Sequence, residues 1–136
     1  MTRVCLDSDV LVAAFVARGL CADLLKFVIS EYDLVIPEVV VEEVGRVLTS
    51  KLKVSRAALS AVEAVLERCV IVPPSNVPSP ISLRDPDDER VLADAISAGA
   101  EILVSGDQDL LVVAKDSPIR ILSPRAFLTL ARGGTL

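Results

Sequence analysis

Histidine is absent from all 136 residues, so no mechanism here can use an imidazole as base or metal ligand. Tryptophan is absent too and aromatics make up only 3%, which leaves the core to Val, Leu, Ile and Ala. Aliphatic side chains of this kind suit parallel strands covered by helices on both faces. The three cysteines, Cys5, Cys21 and Cys69, are odd in number, widely spaced and set among apolar neighbours. That pattern excludes a disulfide framework and a cysteine zinc site, and reads as buried free thiols. No apolar run approaches membrane-spanning length, and MTRVCLDSD places Asp7 and Asp9 where a signal peptide needs apolar residues. The expected setting is a reducing cytoplasm, without membrane contact. A basic excess is also missing: 14 Lys and Arg face 19 Asp and Glu, for a net charge of −5. No positive field attracts nucleic acid by counterion release. That exclusion lifts only where the acids gather around bound cations, which then dominate the local charge.

What the sequence does have is 52% hydrophobic content in a length suited to one domain, here residues 1–136. Short β-rich runs alternate with helical patterns. RVCLD is followed by VLVAAFVA and LCADLLKFVIS, then DLVIP and the helix EVVVEEVGRVL. Ser55 is a candidate cap for SRAALSAVEAVLERC. The run VIVPP, the helix DDERVLADAISAGA, the strand EILVS, a short helix DLLVVAK, IRILSP and RAFLTLAR complete the order. The expectation is an α/β fold: a three-layer α/β/α sandwich around a mostly parallel sheet of about five strands. PPSNVPSPISLRDP reads as its one long loop, and GGTL as a frayed terminus.

In such a sheet ligands bind beyond the carboxyl ends of the strands, and acids recur there. Asp7 and Asp9 follow RVCL, Asp107 and Asp109 follow ILVSG, and Asp85, Asp87 and Asp88 follow the loop after VIVPP. Acids gathered at several strand ends repel one another unless cations or protons intervene. Glu43 shares the helical stripe of Val39, Val40, Val44 and Val47, whereas Glu42 falls with Glu38 and Arg46. Glu43 is therefore expected to face inward, held by a metal or by a salt bridge. Asp88 stands one turn before Leu92, at the inner edge of the stripe Val91, Leu92, Ala95 and Ile96. Asp85 and Asp87 read equally well as helix caps. In LVSGDQDLL the glycine turns the backbone and presents Asp107, while Asp109 is either the N-cap of the next helix or an auxiliary ligand.

Taken in order, VCLDSDVLVAAF, IPEVVVEEVGRVL, DPDDERVLADAISAGAEILVSGDQDLL and IRILSPRAFL resemble the PIN-domain pattern over residues 3–128. The likeness is to toxin components of bacterial and archaeal toxin–antitoxin systems in particular. The resemblance implies a Mg²⁺- or Mn²⁺-dependent ribonuclease, with Asp7, Glu43, Asp88 and Asp107 as its catalytic acids. Asp7, Asp88, Asp107 and Asp109 are the candidate metal ligands. It further implies an RNA substrate, a cognate antitoxin and a homodimer, for which residues 10–30 and 55–69 offer apolar faces. The helix can be matched from Pro37 to Glu42 or from Leu48 to Glu43, and the stripe selects Glu43. Asp9 stands where the family usually has Asn, and Ser105 where Thr is common, which keeps the hydroxyl.

Two alternatives remain at this stage. DSDVLV also resembles the aspartyl-phosphate motif of haloacid-dehalogenase-like phosphatases, yet these need a Lys before the later acid pair, and none lies between Lys53 and Lys115. A PIN-like fold could also be a catalytically inactive binding module, against which stands the retention of all four acids.

Overall fold

A computed structural model describes residues 2–134 and 136; Met1 and Thr135, the latter in the tail read as frayed, lie outside the described residues. Five strands, β1 (Arg3–Leu6), β2 (Asp33–Pro37), β3 (Val70–Val72), β4 (Ile102–Val104) and β5 (Arg120–Leu122), form one sheet in the order β3-β2-β1-β4-β5. All four pairings are parallel, and Val4 at the centre is in register with Leu34 on one side and Ile102 on the other.

Successive residues of a strand point to opposite faces. Val4, Cys5 and Leu6 are all fully buried, as are Leu103 and Val104, so both faces of the sheet are covered and the three-layer arrangement follows. The helices are α1 (Ser8–Val16), α2 (Leu20–Glu31), α3 (Glu38–Arg46), α4 (Arg56–Leu66), α5 (Pro86–Ser97), α6 (Gln108–Leu111) and α7 (Pro124–Arg132). Helix α2 packs with α1 and α7, and α3 packs with α5. The scarce aromatics serve one join, where Tyr32 stacks between Phe27 and Phe127 at centroid distances of 5.9 and 5.8 Å. Among the described residues, no helix is long and apolar enough to cross a membrane.

Local chemistry sets the helix ends. Ser55 and Ser123 cap α4 and α7 by accepting the amides of Ala58 and Ala126. Helix α3 does not stop where its apolar stripe ends but continues as a π-helical turn, Val47–Lys51. There Thr49 Oγ1 donates to Gly45 O at 2.7 Å, and Leu52 N–H reaches back five residues to Val47 O. The segment DLLVVAK is not one helix. Helix α6 ends at Leu111, Val112 is exposed, and a 3₁₀ turn follows at Ala114–Asp116. The cysteines are free, but only Cys5 is buried; Cys21 on α2 and Cys69 in the turn between α4 and β3 are part-exposed.

The long loop between β3 and α5 has no secondary structure and is nonetheless fastened. Asp94 of α5, wholly buried, accepts at one oxygen from Ser75 N–H, Ser75 Oγ and Arg90 Nε, at 2.9–3.0 Å. Arg90 also donates to Ser75 Oγ and to Val77 O, and Leu83 N–H donates to Glu89 Oε2. Removing one member of a buried ion pair strands the other charge. Arg90→Ala should therefore cost about 3 kcal/mol in urea unfolding, more than twice what truncating a surface arginine does.

Candidate active site

With strand order β3-β2-β1-β4-β5, the chain reverses its direction of travel across the sheet between β1 and β4. Loops leave that point on opposite sides and open a crevice above the carboxyl ends of the two strands. Asp7 leaves β1 and Asp107 follows β4 by three residues, so the two straddle the crevice. The Asp7 amide closes it below by donating to Val104 O at 3.0 Å.

Asp7 is 5% exposed and caps α1: one carboxylate oxygen accepts Ser8 N–H at 2.8 Å and the other accepts the Ser105 hydroxyl at 2.7 Å. Ser105 Oγ in turn accepts Asp107 N–H at 3.0 Å, so one hydroxyl couples the two acids across the crevice. Asp107 is itself the N-cap of α6, accepting Asp109 N–H at 2.9 Å. The capping role considered for Asp109 thus belongs to Asp107, because the chain enters the helix two residues earlier. Asp109 instead accepts Arg84 Nη2 at 2.8 Å. Asp85 is the N-cap of α5, and Asp87, whose amide it accepts, is exposed.

Glu43 reaches the same place from α3. Val40 and Val44 are buried, Glu42 faces water, and Glu43 turns in to accept the Ser8 hydroxyl at 2.5 Å. No arginine or lysine pairs with it within salt-bridge distance among the described residues. Asp88, 9% exposed on the inner side of α5, completes the group. Asp7, Ser8, Asp9, Glu43, Asp85, Asp88 and Asp107 line one pocket of about 280 Å³. All four expected acids are therefore brought together.

Three contributors carried little or no signal in the sequence, and a fourth, Gly106, was marked only as the turn before Asp107. Ser8 and Arg84 could not be singled out because their partners lie 35 and 25 residues away. Ser105 was visible only as a hydroxyl at a familiar position. Gly106 is fixed by Asp9, whose carboxylate accepts Gly106 N–H at 2.8 Å; a Cβ at Gly106 would stand 2.6 Å from that oxygen.

Three of these carboxyls, Asp7, Asp9 and Asp88, release their protons at higher pH than usual. Burial pushes Asp7 up to about 6, against the pull of Ser105 and Ser8, with the charges of Asp9 and Glu43 adding to the rise. Burial, then the adjacent Asp107 carboxylate, then Asp7 and Asp85 push Asp88 up to about 7. Asp9 is raised as well, chiefly by burial. One oxygen each from Asp88, Asp107 and Asp109 lies within 4.8 Å of the others. An all-oxygen, carboxylate-rich donor set at that spacing fits a hard divalent cation such as Mg²⁺ or Mn²⁺. Asp7 stands outside this triad, with both oxygens engaged by Ser8 and Ser105.

A carboxyl whose folded pKa is raised stabilises the fold fully below its unfolded value and loses that contribution as pH rises through the folded value. For Asp7 the loss runs from about pH 4 to just above 6. Without metal, Asp7→Asn should melt near the parent at about pH 4 and gain up to about 3 kcal/mol by about pH 8. Thermal unfolding in chelator across that range would show it, and a gain independent of pH would contradict the assignment.

Comparison with known proteins places this geometry. A family model described as the PIN domain matches residues 3–109. No curated protein sequence matches significantly. Among solved structures, a chain of VapBC2 from Rickettsia felis, bound to a DNA fragment from its promoter, superposes with a TM-score of 0.63 at 19% identity, covering 89% of this chain and 97% of that one. DNA-bound VapBC from Salmonella typhimurium gives 0.63 at 16% identity, covering 91% and 99%. A PilT N-terminus domain protein from Sulfolobus solfataricus gives 0.63 at 16%, covering 94% and 92%.

Proposed function

Because the chain belongs to the PIN-domain family, we propose that it is a Mg²⁺- or Mn²⁺-dependent endoribonuclease that hydrolyses RNA phosphodiester bonds as the toxin of a toxin–antitoxin system. The observation that carries this reading is the convergence of Asp7, Glu43, Asp88 and Asp107 on one pocket at the switch point of the sheet. Asp88, Asp107 and Asp109 would hold the cation, with Asp7 reaching it directly or through water. When bound, such an ion lowers the pKa of water and stabilises charge on a phosphoryl group.

The protein's own side chains divide the remaining work. Ser8 Oγ occupies Glu43 Oε1, so Oε2 is the oxygen left to orient the attacking water and accept its proton. Ser105 keeps Asp7 accepting at both oxygens, which fixes its carboxylate plane. Asp9 holds Gly106 N–H and so sets the turn that presents Asp107.

A phosphatase using Asp7 as nucleophile is disfavoured because no lysine stands between Lys53 and β4 to hold the phosphate charge. Lys115 lies after β4, in the 3₁₀ turn, rather than before it. The toxin reading draws on the likeness to chains of VapBC complexes. Its partners would be RNA, a cognate antitoxin and a second copy of the chain in the cytoplasm. For a protein partner we assign the apolar groove of about 560 Å³ lined by Phe15, Leu25, Ile29 and Val65, rimmed by Lys26 and Arg68.

Asp7→Asn, Asp88→Asn and Asp107→Asn should each abolish Mn²⁺-dependent RNA cleavage with the fold retained. Glu43→Gln should lower the rate at least about a hundredfold, while Glu42→Gln leaves it unchanged. Equal losses at the two glutamates would overturn the reading of α3. In calorimetry the parent should bind Mn²⁺; a titration without heat would favour an inactive module.

A further inference from the structure

The pocket lining holds six carboxylates and no basic side chain. An RNA strand carries a negative charge at every phosphate, and bound divalent cations offset only part of the repulsion it meets. The functional reading above therefore requires a cation on the path of the substrate. Arg84 is the basic side chain at the rim, donating to Asp109 at 2.8 Å, and Asp109 belongs to the carboxylate triad.

We propose that Arg84 is a substrate-binding residue that grips a phosphate of the RNA backbone next to the metal triad. The guanidinium has five N–H donors, and its contact with Asp109 is made through Nη2. The Arg84 side chain is 86% exposed, so the donors not used on Asp109 are open to solvent beside the carboxylate triad. An ion pair so exposed is weak, and exchanging part of it for phosphate oxygens costs little. The planar fork matches two oxygens of a phosphate.

The backbone on either side of Arg84 is held, while its side chain has the one exposed contact with Asp109. Leu83 N–H is taken by Glu89 Oε2 at 2.9 Å, and Asp85 caps α5. The neighbours therefore fix where the residue stands without that contact. Because this inference rests on the nuclease reading, its test separates the two.

A fluorescein-labelled single-stranded oligoribonucleotide, with Mn²⁺ present, would be titrated by anisotropy against Asp7→Asn and against Asp7→Asn/Arg84→Ala, neither of which cleaves it. Arg84→Ala should weaken binding about tenfold and reduce the salt dependence by roughly one phosphate contact, about 0.7 in the log–log slope. Arg84→Lys should restore the slope but only part of the affinity. Mn²⁺ affinity without RNA should be no lower without Arg84, since its removal releases Asp109 and takes a like charge away from the cation. Equal RNA affinity and slope in the two backgrounds would overturn the role of Arg84 and leave the nuclease reading standing. A parallel fall in Mn²⁺ affinity would also overturn it, because Arg84 would then only prop Asp109. If Asp7→Asn itself binds no RNA, the nuclease reading fails and Arg84 with it.

Discussion

Repulsion among carboxylates governs the active end of this protein. Asp7, Glu43, Asp88 and Asp107 come from four separate stretches of chain and share a pocket of about 280 Å³. Folding must oppose that repulsion by other means. Part of the opposition is geometric: β1 and β4 pair directly, so the residues after them cannot move apart without breaking the sheet. Part is hydrogen bonding: Ser8 donates its hydroxyl to Glu43 and its amide to Asp7, and Ser105 Oγ donates to Asp7 while accepting the Asp107 amide. The remainder is left as raised proton affinity at Asp7, Asp9 and Asp88. Proton affinity stored in this way is what a divalent cation would displace.

Much of this was legible in the sequence because periodicity carries direction. The spacing of Val39, Val40, Val44 and Val47 distinguishes Glu43 from Glu42, and α3 turns as that spacing requires. The stripe containing Val91 and Leu92 likewise brings Asp88 inward. The alternation of elements predicts a parallel sheet but not its order, and it is the observed pairing of β1 with β4 that brings Asp7 near Asp107. Six of the 19 acids line the pocket and the rest are spread over the molecule, so only the local part of the charge that opposes nucleic acid is one a bound cation would offset.

What could not be read were partnerships between distant side chains and the ways helices end. Nothing near Asp109 in the sequence marks Arg84 as its partner, and Asp107 and Asp109 have equal claim to the cap until the backbone is seen. The π-helical turn after α3 depends on one threonine hydroxyl competing for a carbonyl, a balance too fine for a periodic pattern to register. Cys21 and Cys69 were expected inside from residue type and apolar neighbours, but Cys21 on α2 and Cys69 in the turn before β3 are both part-exposed. Asp94 gave no signal, being one acid among many in a helix rich in them, yet it is the most completely buried acid of the fold.

The ties from Asp94 and Arg90 to Ser75 and Val77 change what kind of loop joins β3 to α5. An unstructured connection of this length would ordinarily sample many shapes, and a ligand meeting it would have to select one. Here that selection is made when the chain folds, by a helix whose other end carries Asp88. The segment leading to Asp85 is thereby preorganised, so a partner arriving at the crevice meets a surface already in its final shape, with little ordering left to oppose its association.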